Sequence, residues 1–183
     1  MNLNLTGKRA LVTAASRGLG FATALGLARE GTALVICSRD EARINDAAQK
    51  IRSETGTRVE ALVADVSSGE EAARLVGHAV SALGGLDIVV HNAGGPPAGE
   101  FLSLTDAQWQ KAFDQNLMSL VRLVHAAVPE LKEAGGRRVR CRYVPRSGST
   151  PWRSDQITPT AHQHRLRKSR ENPAAAYPTA RAP

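Results

Sequence analysis

Five consecutive residues, Ala33-Leu34-Val35-Ile36-Cys37, are all apolar. A strand can bury such a run only when both of its faces are covered, as a parallel strand between helical layers is. Asp87-Ile88-Val89-Val90-His91 repeats the pattern, and Arg9-Ala10-Leu11-Val12-Thr13 and the segment from Val59 to Ala64 give two further strand windows. Amphipathic helical windows separate them. One runs from Leu19 to Glu30 and stops at Gly31; another runs from about Glu41 to Thr55, with Ile44, Ala48 and Ile51 on one face, and stops at Gly56. A third opens with the capping box Ser67-Ser68-Gly69-Glu70 and stops near Gly84-Gly85. Strand and helix alternating over short connections predict right-handed βαβ units, hence an α/β fold with a doubly wound parallel sheet.

That pattern does not extend to the end of the chain. Residues 1–136 hold 13 Lys/Arg against 15 Asp/Glu, a balance of −2, whereas residues 137–183 hold 11 Lys/Arg against Asp155 and Glu171 alone, a balance of +9. The second segment also carries six of the nine prolines and only four large aliphatics, Val139, Val144, Ile157 and Leu166. So few cannot offset the entropy of ordering that length. The expected organisation is one folded domain over 1–136 and a basic, Pro/Arg-rich, disordered tail over 137–183. Cys37 and Cys141 are too few for a disulfide scaffold, and no spacing suits a zinc site. No apolar run reaches the roughly 18 residues of a membrane span, and Met1 to Lys8 lack the marks of a signal peptide. A soluble, cytoplasmic chain is expected.

The first strand runs directly into Thr13-Ala14-Ala15-Ser16-Arg17-Gly18-Leu19-Gly20. A tight strand-to-helix turn would by itself account for the glycines. In this position, however, the turn opens a helix whose first amides and dipole form a site for a pyrophosphate. Gly18 and Gly20 let the backbone approach the phosphates, and Ser16 and Arg17 add donors. Ala14 stands where a first glycine could be; it is small, but its Cβ is costly if the turn needs a positive φ.

The turn resembles the T-G-x-x-x-G-[IL]-G motif of the short-chain dehydrogenase/reductase family, with Ala14 for the first Gly. Three further motifs follow in order. Asp65-Val66 ends the third strand, His91-Asn92-Ala93-Gly94 ends the fourth and is similar to N-N-A-G, and Asn116 lies in the next long helix. The resemblance covers residue 5 to about 136 and implies a Rossmann-like dinucleotide site. It places Thr13, Ala14, Ser16, Arg17, Gly18, Leu19, Gly20, Ser38, Arg39, Asp65, Val66, Asn92, Ala93 and Gly94 at the cofactor, with Asp65 at the adenine. Asn116 is then the catalytic Asn that orders a water in the proton relay. The cofactor is read from the end of the second strand. An NAD site wants a carboxylate there for the ribose 2′-OH. Ser38-Arg39, with Arg17 in the facing turn, instead favours the 2′-phosphate of NADP(H), and Asp40 reads as a helix cap.

A further capping box, Thr105-Asp106-Ala107-Gln108, opens the long helix, whose expected buried face is Trp109, Phe113, Asn116, Leu120, Leu123 and Ala127, with Pro129 at a kink or end. Without the resemblance, Asn116 would read as a satisfied core amide. His78, His91 and His125 receive no catalytic role. The segment Gly94 to Gly99 reads as a flexible loop, by resemblance near the nicotinamide.

Beyond Gly136 the resemblance stops. The family continues with a buried strand ending in a catalytic Ser, then Tyr-x-x-x-Lys. The Tyr moves the carbonyl proton, the Lys lowers its pKa, and the Ser holds the substrate oxygen. No Tyr-x-x-x-Lys occurs in the 183 residues: Ser147 follows Tyr143 and Arg181 follows Tyr177 at that spacing. Arg138, Arg140 and Arg142 alternate with Val139, Cys141 and Tyr143, so an interior strand there would bury unpaired guanidiniums. Two explanations compete. One is a basic tail for nucleic acid or an acidic partner, although no nucleic-acid motif accompanies the charge. The favoured one is a reading-frame change near codon 136. The expected function is NADP(H)-dependent interconversion of a carbonyl and a secondary alcohol, 3-oxoacyl reductase-like, with this chain itself inactive. The rival class is a non-catalytic nucleotide-binding remnant or partner-binding protein. A homo-oligomer through the 105–133 helix is expected from the resemblance.

Overall fold

A computed structural model of the chain describes residues 3–94 and 101–133, the side chain of Phe101 excepted. The expected disorder of 137–183 and most of the Gly94 to Gly99 loop lie outside these residues. The order is β1 (Arg9–Val12), α1 (Gly18–Arg29), β2 (Ala33–Ser38), α2 (Glu41–Thr55), β3 (Val59–Val63), α3 (Gly69–Leu83) and β4 (Ile88–Val90). A 3₁₀ turn (Phe101–Ser103), α4 (Asp106–Phe113), a π-helical turn (Asp114–Met118) and α5 (Ser119–Glu133) follow. The strands form one parallel sheet in the order β3-β2-β1-β4. This is the Rossmann-like arrangement expected from the apolar runs.

Alternation along each strand divides the core into two layers. Ala10, Val12, Leu34 and Ile36 point to one face and meet Ala24 and Ala28 of α1 and Ile44, Ala48 and Ile51 of α2. Leu11, Val35 and Cys37 point to the other and meet Leu75, Val76 and Ala79 of α3 and Leu123 and Ala127 of α5. Because β2 lies inside the sheet, both sets of its side chains are buried, which is why the run from Ala33 to Cys37 is apolar throughout. Each fully buried Leu, Ile or Val contributes about 1.5–3 kcal/mol of transfer free energy. Burial also pushes the Cys37 thiol up to about 12, so it is a neutral core residue.

Local chemistry sets the helix ends. Asp40 accepts from the Arg43 amide and caps α2, as its position predicts. Gly56 and Gly84 end α2 and α3 in the left-handed region. The cap of α3 is Ser68, which accepts from the Glu71 amide, one residue later than the box read from the sequence. The Glu71 carboxylate turns instead to Arg74, so the box is not reciprocal. The box of Thr105 and Gln108 is complete.

The helix after it departs from expectation. It breaks at a π turn rather than running straight, and its first half is not a buried face: Trp109 is 47% exposed and Phe113 49%. The extra residue of a π turn rotates the stripe, so only Leu123 and Ala127 of the expected set are fully buried. Pro129 does not end the helix; α5 continues through it to Glu133.

Candidate functional site

In the strand order β3-β2-β1-β4 the chain crosses from one side of β1 to the other, leaving a crevice outside the carboxyl ends of β1 and β4. Three hydrogen bonds close the floor of that crevice. Thr13 Oγ1 donates to the Asn92 carbonyl at 2.7 Å and accepts from the Asn92 amide at 2.8 Å, while Asn92 Nδ2 donates to the Ala14 carbonyl at 3.1 Å. Thr13 and Asn92 thus brace the glycine-rich turn against the end of β4. Ala14 adopts φ 46°, the left-handed conformation in which a Cβ is strained.

The two glycines have different tasks. A Cβ on Gly20 would lie 2.4 Å from the Ala14 carbonyl oxygen and 2.8 Å from Asn92 Nδ2, so Gly20 lets α1 pack directly under the turn. Gly18 has φ +60° and nothing within 4 Å of such a Cβ, so it borders open space. Arg17 is the N-cap residue of α1 and gives no side-chain cap, whereas Asp40, Ser68 and Thr105 cap α2, α3 and α4. The first amides of α1 are therefore left for an outside acceptor, beside the half-buried Ser16 and the exposed Leu19.

At the end of β2, Ser38 turns inward. Its hydroxyl donates to the Asp40 carbonyl at 3.1 Å and accepts from the Asp40 amide at 3.2 Å, so it shapes the turn rather than facing outward. Arg39 is exposed and stands 3.8 Å from Asp65 at the end of β3. Burial alone would raise the Asp65 carboxyl, but hydrogen bonds from Ser67 and the Arg39 charge outweigh it and hold the pKa below the usual range. Val66, next in the chain, packs on the second core layer. Ala93 is half-buried, and Gly94 is exposed with open space around it.

Arg39 and Asp65 line an open cleft of about 670 Å³ together with Ser67, Lys111, Gln115 and Arg122. Arg17, read from the sequence as facing Arg39, does not line it. Lys111 and Arg122 were not legible as site residues. Arg122 reaches from α5 to the Ser67 carbonyl and to Asp114 Oδ1 at 3.3 Å, and so braces the loop after Asp65 from a helix 55 residues away. No local pattern marks that contact.

Asn116 sits in the π turn, half-buried, with Nδ2 donating to the Ala112 carbonyl at 2.8 Å. Nearby, His91 Nε2 lies 2.8 Å from Ser119 Oγ, which donates to the Gln115 carbonyl at 2.6 Å. With its proton so used, the hydroxyl accepts from His91, and the network assigns the proton to Nε2. Burial lowers the His91 pKa, keeping it neutral. His91 therefore ties β4 to the π turn that carries Asn116. Among the described residues no cluster of His, Cys, Asp or Glu is placed to hold a metal ion. No helix among them is long and apolar enough to cross a membrane.

Comparison with known proteins places this geometry. A family model described as short chain dehydrogenase matches residues 8–140. Human dehydrogenase/reductase SDR family member 4 is 38% identical over 136 residues, 74% of this chain and 49% of that protein. L-Sorbose reductase from Gluconobacter frateurii, solved with NADPH and L-sorbose, superposes with a TM-score of 0.70 at 33% identity over 74% of this chain and 51% of that one. A short chain dehydrogenase from Burkholderia cenocepacia, solved with NADP, gives 0.66 at 34% identity over 69% and 52%. The chain thus spans about half the length of the relatives it matches. From the turn at Thr13 to the helix of Asn116, the chain belongs to the short-chain dehydrogenase family of oxidoreductases.

Proposed function

We propose that the chain binds NADP(H) in preference to NAD(H), and that its family chemistry is interconversion of a carbonyl and a secondary alcohol, of the 3-oxoacyl-thioester reductase kind. The observation that carries the cofactor reading is the pairing of an uncapped α1, opening on the space beside Gly18, with Arg39 where an NAD site would place a carboxylate. Donor chemistry fits the group: backbone amides for the pyrophosphate, a guanidinium for the 2′-phosphate, and the ionised Asp65 for an exocyclic amine of the adenine. The NADPH and NADP of the two similar structures support the same reading. When bound, the nicotinamide supplies or takes the hydride. Thr13 and Asn92 hold the turn, and Asn116 orders a water.

Turnover by these 183 residues should be slow. Asn116 has no Tyr-x-x-x-Lys to serve anywhere in the sequence. A positioned general acid typically contributes about 10²–10⁴-fold, and losing an oxyanion-type donor costs roughly a further 10²–10³. We read residues 137–183 as an out-of-frame stretch. Translating the other two frames downstream of codon 136 tests this: a Ser followed by Tyr-x-x-x-Lys supports it, and its absence favours a purposeful basic tail and a non-catalytic, partner-binding role.

The cofactor reading is tested by Arg39→Asp. A carboxylate at 39 should repel the 2′-phosphate and accept from a 2′-OH, so the ratio of NADPH to NADH affinity should fall at least about tenfold. An unchanged ratio contradicts the assignment. NADPH oxidation with ketones and 3-oxoacyl thioesters should stay near the no-enzyme rate. Clear turnover abolished by Asn116→Ala would contradict the inactivity.

A further inference from the structure

The cleft at the end of β3 holds a cation that the family motifs do not account for. We propose that Lys111 of α4 acts with Arg39 as the clamp on the 2′-phosphate, which makes it a residue that sets NADP(H) over NAD(H) specificity. This rests on the nucleotide reading above and deepens it by naming a second cation that lines the same cleft as Arg39.

Three cations and two carboxylates line this cleft: Arg39, Lys111 and Arg122 against Asp65 and Asp114. Arg122 is committed to Asp114 and to the Ser67 carbonyl. Arg39 lies 3.8 Å from Asp65, near enough for that carboxylate to offset part of its charge. An anion held by Arg39 alone would also feel the repulsion of Asp65. Lys111 makes no ion pair or side-chain hydrogen bond among the described residues, and it is the charge left uncompensated in the cleft. Arg17 does not line this cleft and so does not supply the second charge there.

The position suits the task. The complete capping box of Thr105 and Gln108 fixes the start of α4, so the backbone carrying Lys111 is set, while the lysine stem remains free to follow its ligand. An ammonium acts as a point charge and needs no fixed bidentate geometry. The cleft volume lies within the range of small-molecule sites. A ribose 2′-OH carries no charge, so Lys111 gains little from NAD(H), and the effect should appear in the difference between the two nucleotides.

The test uses the full chain, with NADPH and NADH affinities measured by calorimetry at two salt concentrations, and with 2′-AMP and 5′-AMP as fragment probes. Lys111→Gln should weaken NADPH and 2′-AMP roughly fivefold, leave NADH within about twofold, and flatten the salt dependence of NADPH binding. Lys111→Arg should retain the wild-type preference. Equal weakening of NADPH and NADH by Lys111→Gln would overturn the proposal, since that is the mark of a disturbed helix. A wild-type preference erased by Arg39→Asp but untouched by Lys111→Gln would overturn it while leaving the nucleotide reading in place. A wild type that binds both nucleotides equally, or neither, would overturn both.

Discussion

Ala14 is the clearest conflict between a side chain and the turn that holds it. The backbone there needs φ 46°, and an L-residue with a Cβ is strained in that region by roughly 1–2 kcal/mol. Glycine removes the strain but adds freedom to the unfolded chain. Ala14→Gly should therefore raise stability by about 1 kcal/mol, read as a higher urea midpoint at unchanged m. A lower midpoint would show that the turn is not left-handed at this position. The conflict was legible in the sequence, because a family motif with one glycine replaced marks a position where φ matters. The inward turn of Ser38 was not. Its hydroxyl is satisfied by Asp40 two residues on, and nothing in Ser38-Arg39 distinguishes that from a side chain facing the ribose.

At the scale of elements, β4 is short, and a side-chain clamp at its foot does part of the work of holding it to β1. Asp87 accepts from the Arg9 amide at 3.0 Å and from Arg9 Nε at 2.7 Å, with Lys8 at 3.6 Å and only 11% of the Asp87 side chain exposed. The Arg9 hydrogen bond pulls the carboxyl below its usual value against the cost of burial. Because the native pKa is the lower one, the stabilisation is complete above the ordinary carboxylate value of about 3.9 and is lost as the pH falls through the native value. Acid titration of stability should show that loss below about pH 4, and Asp87→Asn should remove it while costing about 1–3 kcal/mol at neutral pH. An unaltered acid limb in the variant would contradict the clamp. Such an element-level feature is half legible: Arg9 and Asp87 sit at the starts of two strand windows, but only the β1–β4 pairing brings them together. The same limit hid the tie between His91 and Ser119 and the reach of Arg122. Each depends on which elements become neighbours, and none has a local period.

For the whole molecule, α4, the π turn and α5 leave Trp109, Phe113, Leu117 and Val121 between 46% and 49% exposed, four residues apart along one side. Contiguous exposed apolar surface of this kind drives association. Sedimentation should show self-association that rises with protein concentration, and Phe113→Lys with Val121→Glu should suppress it with little effect on nucleotide affinity. A monomer at all concentrations would contradict it. The layers of the fold were readable because two buried faces leave apolar runs and two helix faces leave a 3.6-residue period. Trp109 and Phe113 were read as part of a buried face because a period reports which side is apolar, and says nothing of what covers it.

We propose that the glycine-rich turn and the Arg39 end of β2 form a site selective for NADP(H). Calorimetric titration of the full chain with NADP⁺ and with NAD⁺, under identical salt, tests it most directly. Saturable one-to-one binding of both is expected, with NADP⁺ the tighter by about tenfold or more. Equal affinities, or tighter binding of NAD⁺, would contradict it.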